Sequence, residues 1–261
     1  GQREGIFRDA RRGSGGIGAA ICKRLAAEGH HVIVHANRSK EKAEAVVAEI
    51  VAAGGSAEAV AFDVTERAAT AAALEKLLEP GPIQILVNNA GIHADAVFPG
   101  MSAEQWHSVV DVSLNGFFNV TQPLTMPMIR TRWGRIVNIS SIAGITGNRG
   151  QVNYSAAKGA LHAASKSLAL ELASRGITVN LVAPGVIDTG MAQKAFPPER
   201  IKALAVVAVA AHDRDARLGT GACHSDCDGD CVWRECPQLR DNEPAKSGRH
   251  CPYDKRRDNE F

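Results

Sequence analysis

The sequence has little net charge, no long apolar stretch and no cysteine between Cys22 and Cys223. Lysine and arginine together number 30, against 28 aspartate and glutamate in 261 residues, which argues against a protein that coats nucleic acid or an anionic membrane. The longest apolar stretch, around residues 203–211, is about half of the roughly 20 residues that span a bilayer. Because no basic and then apolar leader opens the sequence, we expect a cytoplasmic protein without a membrane or nucleic-acid partner.

The last part of the chain lacks the aliphatic residues that build a core. After Gly221, Val232 and Leu239 are the only aliphatic residues larger than alanine, while charge, cysteine and proline increase. The cysteines there include no C-x2-C pair of the kind that zinc knuckles favour, so we predict no metal site. They are Cys223, Cys227, Cys231, Cys236 and Cys251.

From about residue 13 to 185, strand and helix patterns alternate regularly, which is typical of right-handed βαβ units. The strand patterns lie at residues 31–36, 57–64, 83–88, 135–140 and 177–182. The helical patterns lie at 17–28 (apolar at Ile17, Ile21 and Leu25), 39–54 (capped by Ser39), 65–78, from 102 (interrupted near Pro123 and Pro127) and 152–175. We therefore predict an α/β fold, a doubly wound (Rossmann) parallel sheet in three αβα layers.

Two regions depart from this alternation. The first strand of such a sheet is central, yet residues 5–12 hold four charges, and burying each one unpaired costs on the order of several kcal/mol. No closing strand is predicted after Arg200. We assign residues 1–200 to a dinucleotide-binding catalytic domain with an atypical first strand, and residues 201–261 to an irregular tail. A reading-frame shift in the gene near each end is our hypothesis for both departures.

A glycine-rich segment opens the first helical pattern and satisfies G-x-G-x-x-G at Gly13, Gly15 and Gly18. Glycines let the backbone approach a pyrophosphate, and a helix N-terminus attracts it; the alternative is an ordinary glycine-rich turn. The candidate cofactor-binding residues of this segment are Gly13, Ser14, Gly16, Ile17 and Gly18.

NAD-preferring enzymes place an acidic residue at the end of the second strand, where it holds the ribose 2′-OH. This sequence has no acidic residue there. Asn37 and Arg38 stand there instead, and Arg38, with His35 and Ser39 nearby, is suited to a 2′-phosphate. We therefore favour NADPH over NADH, with a solvated arginine as the alternative.

The most specific pattern combines Ser141, at the end of a strand, with Tyr154 and Lys158. Tyr154 and Lys158 are four residues apart, so they share a helix face. An ammonium near a phenol favours the phenolate, so we expect Lys158 to lower the pKa of Tyr154. Tyr154 is then the candidate general acid for a carbonyl oxygen that Ser141 also hydrogen-bonds.

These residues make the chain resemble the short-chain dehydrogenase/reductases over about residues 13–195, and most of all the 3-oxoacyl-[acyl-carrier-protein] reductases. The motifs that carry the resemblance are Gly16-Ile17-Gly18, Asp63-Val64, Asn88-Asn89-Ala90-Gly91, residues 134–141, Gly147-Asn148 with residues 150–154, Tyr154-Ser155-Ala156-Ala157-Lys158, residues 173–179 and Pro184-Gly185.

The resemblance implies NADPH-dependent reduction of a 3-oxoacyl thioester, carried on acyl-carrier protein or another thioester, to the 3-hydroxyacyl thioester. It implies a proton from Tyr154, and a homodimer that pairs through the helices from Ser102 and from Val152. We do not expect a tetramer, because the family's second interface uses a closing strand that is not predicted here. The residues that it places around the cofactor are Asp63, Val64, Asn89, Ala90, Gly91, Lys158, Pro184, Gly185, Ile187 and Thr189.

The chain departs from the family pattern at three places. The family's Thr-Gly before the glycine-rich segment falls on Arg11 and Arg12, its relay asparagine falls on Ser113, and its closing helix and strand have no counterpart after Arg200. A serine can still hold a water, so Ser113 is kept as a catalytic candidate. Two alternatives stay open: a short-chain reductase of an alcohol, sugar or polyketide carbonyl, and a catalytically dead chain.

Overall fold

The computed structural model describes residues 3–7, 16–37, 39–185 and 207–210, with the backbone alone described at 3–7 and 207–210. All of them belong to one compact unit, Gly1–Ala216. The predicted tail beyond residue 210 and the domain boundary near residue 200 lie outside the described residues, so both stay predictions.

Among the described residues, seven strands form one sheet in the order β3-β2-β1-β4-β5-β6-β7, and every pairing up to β6 is parallel. The predicted doubly wound fold is thereby confirmed. The strands are β1 Arg3–Phe7, β2 His31–Ala36, β3 Ser56–Ala61, β4 Ile83–Asn88, β5 Gly134–Ile139, β6 Ile177–Pro184 and β7 Val207–Ala210. The helices are α1 Gly16–Ala27, α2 Lys40–Ala52, α3 Arg67–Leu78, α4 Ala103–Val110, α5 Gly116–Thr131, α6 Ala143–Thr146 and α7 Val152–Leu172.

The first and last strands along the chain differ from the sequence prediction. β1 lies centrally between β2 and β4 and ends at Phe7, ahead of the charged run. The strand β7 was not predicted, yet Val207–Ala210 pairs antiparallel with Leu181–Pro184 of β6. Its alternating valines and alanines suit an edge strand, but four residues are too few for a periodic signal.

Helices cover both faces of the sheet, which gives the predicted three layers. One apolar cluster joins α1 and α2 to β2, and the other joins α3, α5 and the end of α7 to β4, β5 and β6. In α1 the buried residues are Gly18, Cys22 and Ala26, whereas the larger Ile17, Ile21 and Leu25 of the predicted face are only partly buried. Small side chains let α1 approach the sheet closely.

Two local predictions about the helices are wrong. Ser39 stands at the N-cap of α2 but makes no capping hydrogen bond with its side chain. The helix predicted to break near Pro123 and Pro127 runs through both prolines, because Val120, Leu124 and Met128 hold α5 in the core. The irregularity lies earlier, in a π-helical turn at Asp111–Asn115 that joins α4 to α5.

Polar side chains cross the middle of the sheet in a buried hydrogen-bonded chain. Asn88 donates to Thr121 Oγ1 (3.0 Å) and to Asn138 Oδ1 (2.8 Å), and Asn138 donates to Ser165 Oγ (2.8 Å). This chain of hydrogen bonds therefore links α5, β4, β5 and α7 below the strand ends.

No helix among the described residues is long and apolar enough to cross a membrane.

We predict that Asn138→Ala lowers the free energy of unfolding by about 1–3 kcal/mol, because it leaves buried polar partners unsatisfied. Asn180→Ala, on the neighbouring strand, is the control and should cost at most about 0.5 kcal/mol, since the side-chain contact of Asn180 within the described parts of the chain is a long one, 3.5 Å to Thr178. Urea unfolding followed by circular dichroism measures both, and equal costs would contradict a special role for the buried chain.

Candidate active site and cofactor cleft

The candidate residues within the described parts of the chain lie at the carboxyl ends of the parallel strands, where α1 also begins. The chain leaves β1 toward β2 on one side, while β4 lies on the other, so the strand order reverses between β1 and β4. Such a switch point opens the crevice in which doubly wound sheets bind dinucleotides. Around it lie Asn37 after β2, Asp63 and Val64 after β3, Asn89, Ala90 and Gly91 after β4, Ser141 after β5, and Pro184 and Gly185 at the end of β6.

The structure brings Ser141, Tyr154 and Lys158 together. Ser141, just beyond β5, lies beside Tyr154 in the first turn of α7, close enough for its side chain to act on the pKa of the phenol. Lys158, one turn later, is 3% exposed, and its Nζ lies 5.8 Å from the centre of the Tyr154 ring. The ammonium donates to the carbonyl oxygen of Ile139 at 2.8 Å, so the lysine is held against the end of β5.

The pKa values in this group differ from the sequence expectation. Burial lowers the pKa of Lys158 from 10.5 to about 8. The pKa of Tyr154 is raised: burial is the largest cause, the Ser141 hydrogen bond opposes it, and the charge of Asp95 adds to it. The predicted lowering of the Tyr154 pKa is therefore wrong for the protein alone, because loss of water around the phenol outweighs the nearby ammonium.

Two glycines make room for the lysine. A Cβ on Gly91 would lie 3.1 Å from Lys158 Nζ, so the segment after β4 passes directly over the ammonium. A Cβ on Gly144 would lie 2.8 Å from the backbone nitrogen of Gly159, so α6 packs directly on the α7 backbone. Side chains at either position would push α6 or the β4 segment away from Lys158.

Asn153 holds the first turn of α7 in place, a role that the sequence patterns did not reveal. Its amide donates to the carbonyl oxygens of Ala94 (3.0 Å) and Gln105 (2.9 Å), and its Oδ1 accepts from the backbone N–H of Tyr154 (2.8 Å). Asn153 is fully buried with these bonds made. The only signal was a polar residue directly before the tyrosine, which does not indicate partners so distant in sequence.

Ser113 lies on a different element from the other three catalytic candidates. It sits in the π-helical turn, is 2% exposed, and its Oγ has no hydrogen-bond partner among the described residues. A small cavity of about 10 Å³ borders it, which is about the space of one water. The cavity is lined by Val64, Asn88, Ala90, Val112, Ser113, Gly116, Phe117, Val120 and Leu161.

A family model described as short chain dehydrogenase matches residues 13–200, which is most of the chain. The chain belongs to the short-chain dehydrogenase family. It is therefore an oxidoreductase, and enzymes of this family use a nicotinamide cofactor.

Several bacterial 3-oxoacyl-[acyl-carrier-protein] reductases are similar to this short-chain dehydrogenase. The FabG enzyme of Aggregatibacter actinomycetemcomitans is 46% identical over 190 residues, which cover 72% of this chain and 78% of the relative. FabG of Staphylococcus aureus (strain Mu50) is 46% identical over 179 residues, 68% of this chain and 73% of the relative. The Synechocystis reductase is 45% identical over 181 residues, which cover 69% of this chain and 73% of the relative.

The cleft of this short-chain dehydrogenase fits a nicotinamide dinucleotide. Gly91 leaves open the space above Lys158 that a Cβ would enter, and the helix α1 begins at the switch point. Asp63 follows β3, and its Oδ1 accepts from the backbone (3.1 Å) and hydroxyl (2.8 Å) of Thr65, which fixes the carboxylate at the edge of the crevice. The Val64 side chain packs in the core, and its carbonyl oxygen accepts from the amide of Asn119 at 2.9 Å.

The predicted 2′-phosphate site is partly corrected. His35 is fully buried, and its Nε2 lies 2.7 Å from the carbonyl oxygen of Phe62, so this side chain is not available to a phosphate. Asn37 is also buried, at the end of β2. Five candidates lie outside the described residues: Gly13, Ser14, Arg38, Ile187 and Thr189.

Within the described parts, no cluster of three or more histidine, cysteine or acidic residues could hold a metal.

We predict that Lys158→Met abolishes turnover but stabilises the protein without cofactor. The lowering of the Lys158 pKa from 10.5 to about 8 means that burying the ammonium costs about 3 kcal/mol of the free energy of unfolding. Methionine removes this cost, but the loss of the hydrogen bond to Ile139 offsets part of the gain. We expect a gain of about 1–3 kcal/mol in the free energy of unfolding at pH 7. Lys166→Met, at an exposed position on the same helix, is the control and should change stability little.

The free energy of unfolding gained by Lys158→Met should decrease as the pH rises. Below about pH 8 the folded protein must bury the Lys158 ammonium, so the cost is fully present there. As the pH rises from about 8 to 10.5, the lysine is neutral in the folded protein but still charged in the unfolded chain, and the advantage of Lys158→Met should disappear. Urea unfolding at a series of pH values measures this, and a constant difference would contradict it.

Proposed function

We propose that this protein reduces a 3-oxoacyl thioester on acyl-carrier protein to the 3-hydroxyacyl thioester, with NADPH as the reductant. The observation that carries the proposal is the grouping of Ser141 and Tyr154 beside the buried Lys158, at the strand ends of a chain about 45% identical to enzymes named for this reaction. NADPH, when bound, supplies the hydride that the carbonyl carbon takes up.

The protein's own residues then handle the carbonyl oxygen. Burial raises the pKa of Tyr154, so the phenol is protonated at neutral pH and can donate that proton to the oxygen. The side chain of Ser141 lies beside the phenol, so its hydroxyl is within reach of the same oxygen. The Lys158 ammonium, 5.8 Å from the ring centre, stabilises the tyrosinate that the transfer leaves behind.

The residues that would hold the cofactor follow from the crevice. Lys158 would bind the nicotinamide ribose, Asp63 and Val64 the adenine end, and Asn89, Ala90 and Gly91 would line the strand end between them. Gly13, Ser14, Gly16, Ile17 and Gly18 would face the pyrophosphate, and Pro184, Gly185, Ile187 and Thr189 the nicotinamide end. The absence of an acid between residues 36 and 39, with Arg38 present, supports NADPH over NADH.

Ser113 would complete the proton supply through a water. Its hydroxyl is buried without a partner beside a cavity of about one water's size, and a water there would satisfy it. We include Ser113 as the residue that holds this water for the reprotonation of Tyr154 and Lys158.

The chain would act as a homodimer. Large apolar side chains are exposed on two neighbouring long helices, where a second copy could cover them; they are Phe118 and Met126 on α5 and Leu170 on α7. Size-exclusion chromatography with light scattering tests this assembly.

The deciding experiment is turnover of acetoacetyl thioester followed by the loss of NADPH absorbance. Tyr154→Phe should reduce kcat by about 10²–10⁴-fold, because it removes the proton donor, and should leave NADPH affinity nearly unchanged. Ser155→Ala is the control, since this neighbouring hydroxyl has no partner among the described residues. Retained turnover in Tyr154→Phe would overturn the assignment, and a folded wild type that binds NADPH without turnover would favour the catalytically dead alternative.

Ser113→Ala should reduce kcat by about tenfold while the free energy of unfolding stays the same or rises. The value of kcat falls because the proposed water loses its hydrogen-bond partner. The free energy of unfolding does not fall, because the substitution removes a buried hydroxyl that has no partner among the described residues. Ser155→Ala removes a similar hydroxyl and should match the stability effect without the loss of activity. Equal kcat values in the two variants would remove Ser113 from the mechanism.

A further inference from the structure

A second serine and a histidine lie behind the proposed catalytic residues. Ser140 directly precedes Ser141, and its Oγ lies 2.8 Å from Nε2 of His162 on α7. The same Oγ donates to the backbone carbonyl of Lys158 at 3.0 Å. His162 stands four residues after Lys158, as Lys158 stands four residues after Tyr154, so the three follow one side of the helix. Neither Ser140 nor His162 takes part in the proposed proton transfer.

The proton count fixes the direction of the histidine contact. A serine hydroxyl has one proton, and Ser140 gives it to the Lys158 carbonyl, so its oxygen must accept from His162. Nε2 of His162 therefore carries a proton. Partial burial and the nearby charge of Lys166 lower the pKa of His162, which favours the neutral ring. The contact with Ser140 then places the single ring proton on Nε2.

Ser140 is consequently anchored on both sides of its strand end. Its backbone N–H donates to Val182 of β6 at 2.7 Å, and its hydroxyl connects to α7 through His162 and Lys158. The next residue is Ser141, whose Oγ accepts from the N–H of Ala143 at 3.2 Å and whose side chain reaches Tyr154. The position of Ser141 relative to α7 therefore depends on what holds Ser140.

We propose that His162 is a positioning residue: by donating to Ser140, it holds the end of β5, and with it Ser141, at the correct distance from the turn of α7 that carries Tyr154 and Lys158. The inference rests on the proposed function for the roles of Ser141 and Tyr154. The contact itself rests on the geometry alone.

The kinetic test compares His162→Leu with His162→Gln. Leucine removes the donor at similar size, whereas the glutamine amide keeps an N–H that can reach Ser140. We expect His162→Leu to lower kcat about tenfold with little change in KM, and His162→Gln to stay within about threefold of wild type. Ser140→Ala should resemble His162→Leu, and the double variant should lose no more than either single one, because both remove the same link.

A Ser141→Ala background separates positioning from general stabilisation. If His162 acts through Ser141, then adding His162→Leu to Ser141→Ala should leave kcat unchanged. A further tenfold loss there, or equal losses in His162→Leu and His162→Gln, would overturn the proposal. So would a wild-type kcat in His162→Leu.

A spectroscopic measurement separates this inference from the proposed function. A hydrogen-bonded, partly buried Nε2–H gives a slowly exchanging imidazole proton resonance, which His162→Gln assigns by its loss. We expect it in wild type and in Tyr154→Phe, and expect it to be lost by fast exchange in Ser140→Ala. If wild type did not turn over acetoacetyl thioester, the proposed function would fail while this resonance would still support the contact. Its absence from an active wild type would overturn the inference alone.

Discussion

The burial of one ammonium group constrains the whole site. Lys158 lies almost without water at the end of the central sheet, with the Ile139 carbonyl as its hydrogen-bond acceptor, and its pKa falls to about 8. An isolated buried charge is costly, so the surroundings must be rigid enough to keep its acceptor in place. The same burial raises the pKa of Tyr154 and keeps the phenol protonated, so one desolvated space sets the protonation of both groups.

The elements around this lysine are arranged to close on it. Gly91 lets the segment after β4 pass over the ammonium, Gly144 lets α6 touch the backbone of α7, and Asn153 ties the first turn of α7 to the segments before and within α4. Ser140 joins the end of β5 to the same helix at the Lys158 carbonyl. These contacts come from four other parts of the chain: the segment after β4, the helix α4, the end of β5 and the helix α6. Each of them packs a segment of the chain against α7.

Much of the fold was predictable because strands and helices differ in their periodicity. The strands at His31–Ala36 and Ile83–Asn88 were found to the residue, since both are buried, apolar and bounded by turn residues. The π-helical turn at Asp111–Asn115 was missed because nothing in its residues departs from a helical pattern, and the prolines of α5 were misjudged because core packing outweighs their lost hydrogen bonds. The edge strand Val207–Ala210 was missed because four residues carry no periodic signal.

By itself, the sequence determined which residues could do chemistry. Tyr154 and Lys158 share a helix face by spacing alone, and Ser141 follows the strand whose crossover to the next strand contains that helix. Only the tertiary structure decided their ionisation. The phenol and the ammonium are both desolvated by residues far away in sequence, so the pKa of Tyr154 rises where the local pattern predicted a fall. Spacing along a helix fixes which groups are neighbours, but the water around them is excluded by the packing of the whole fold.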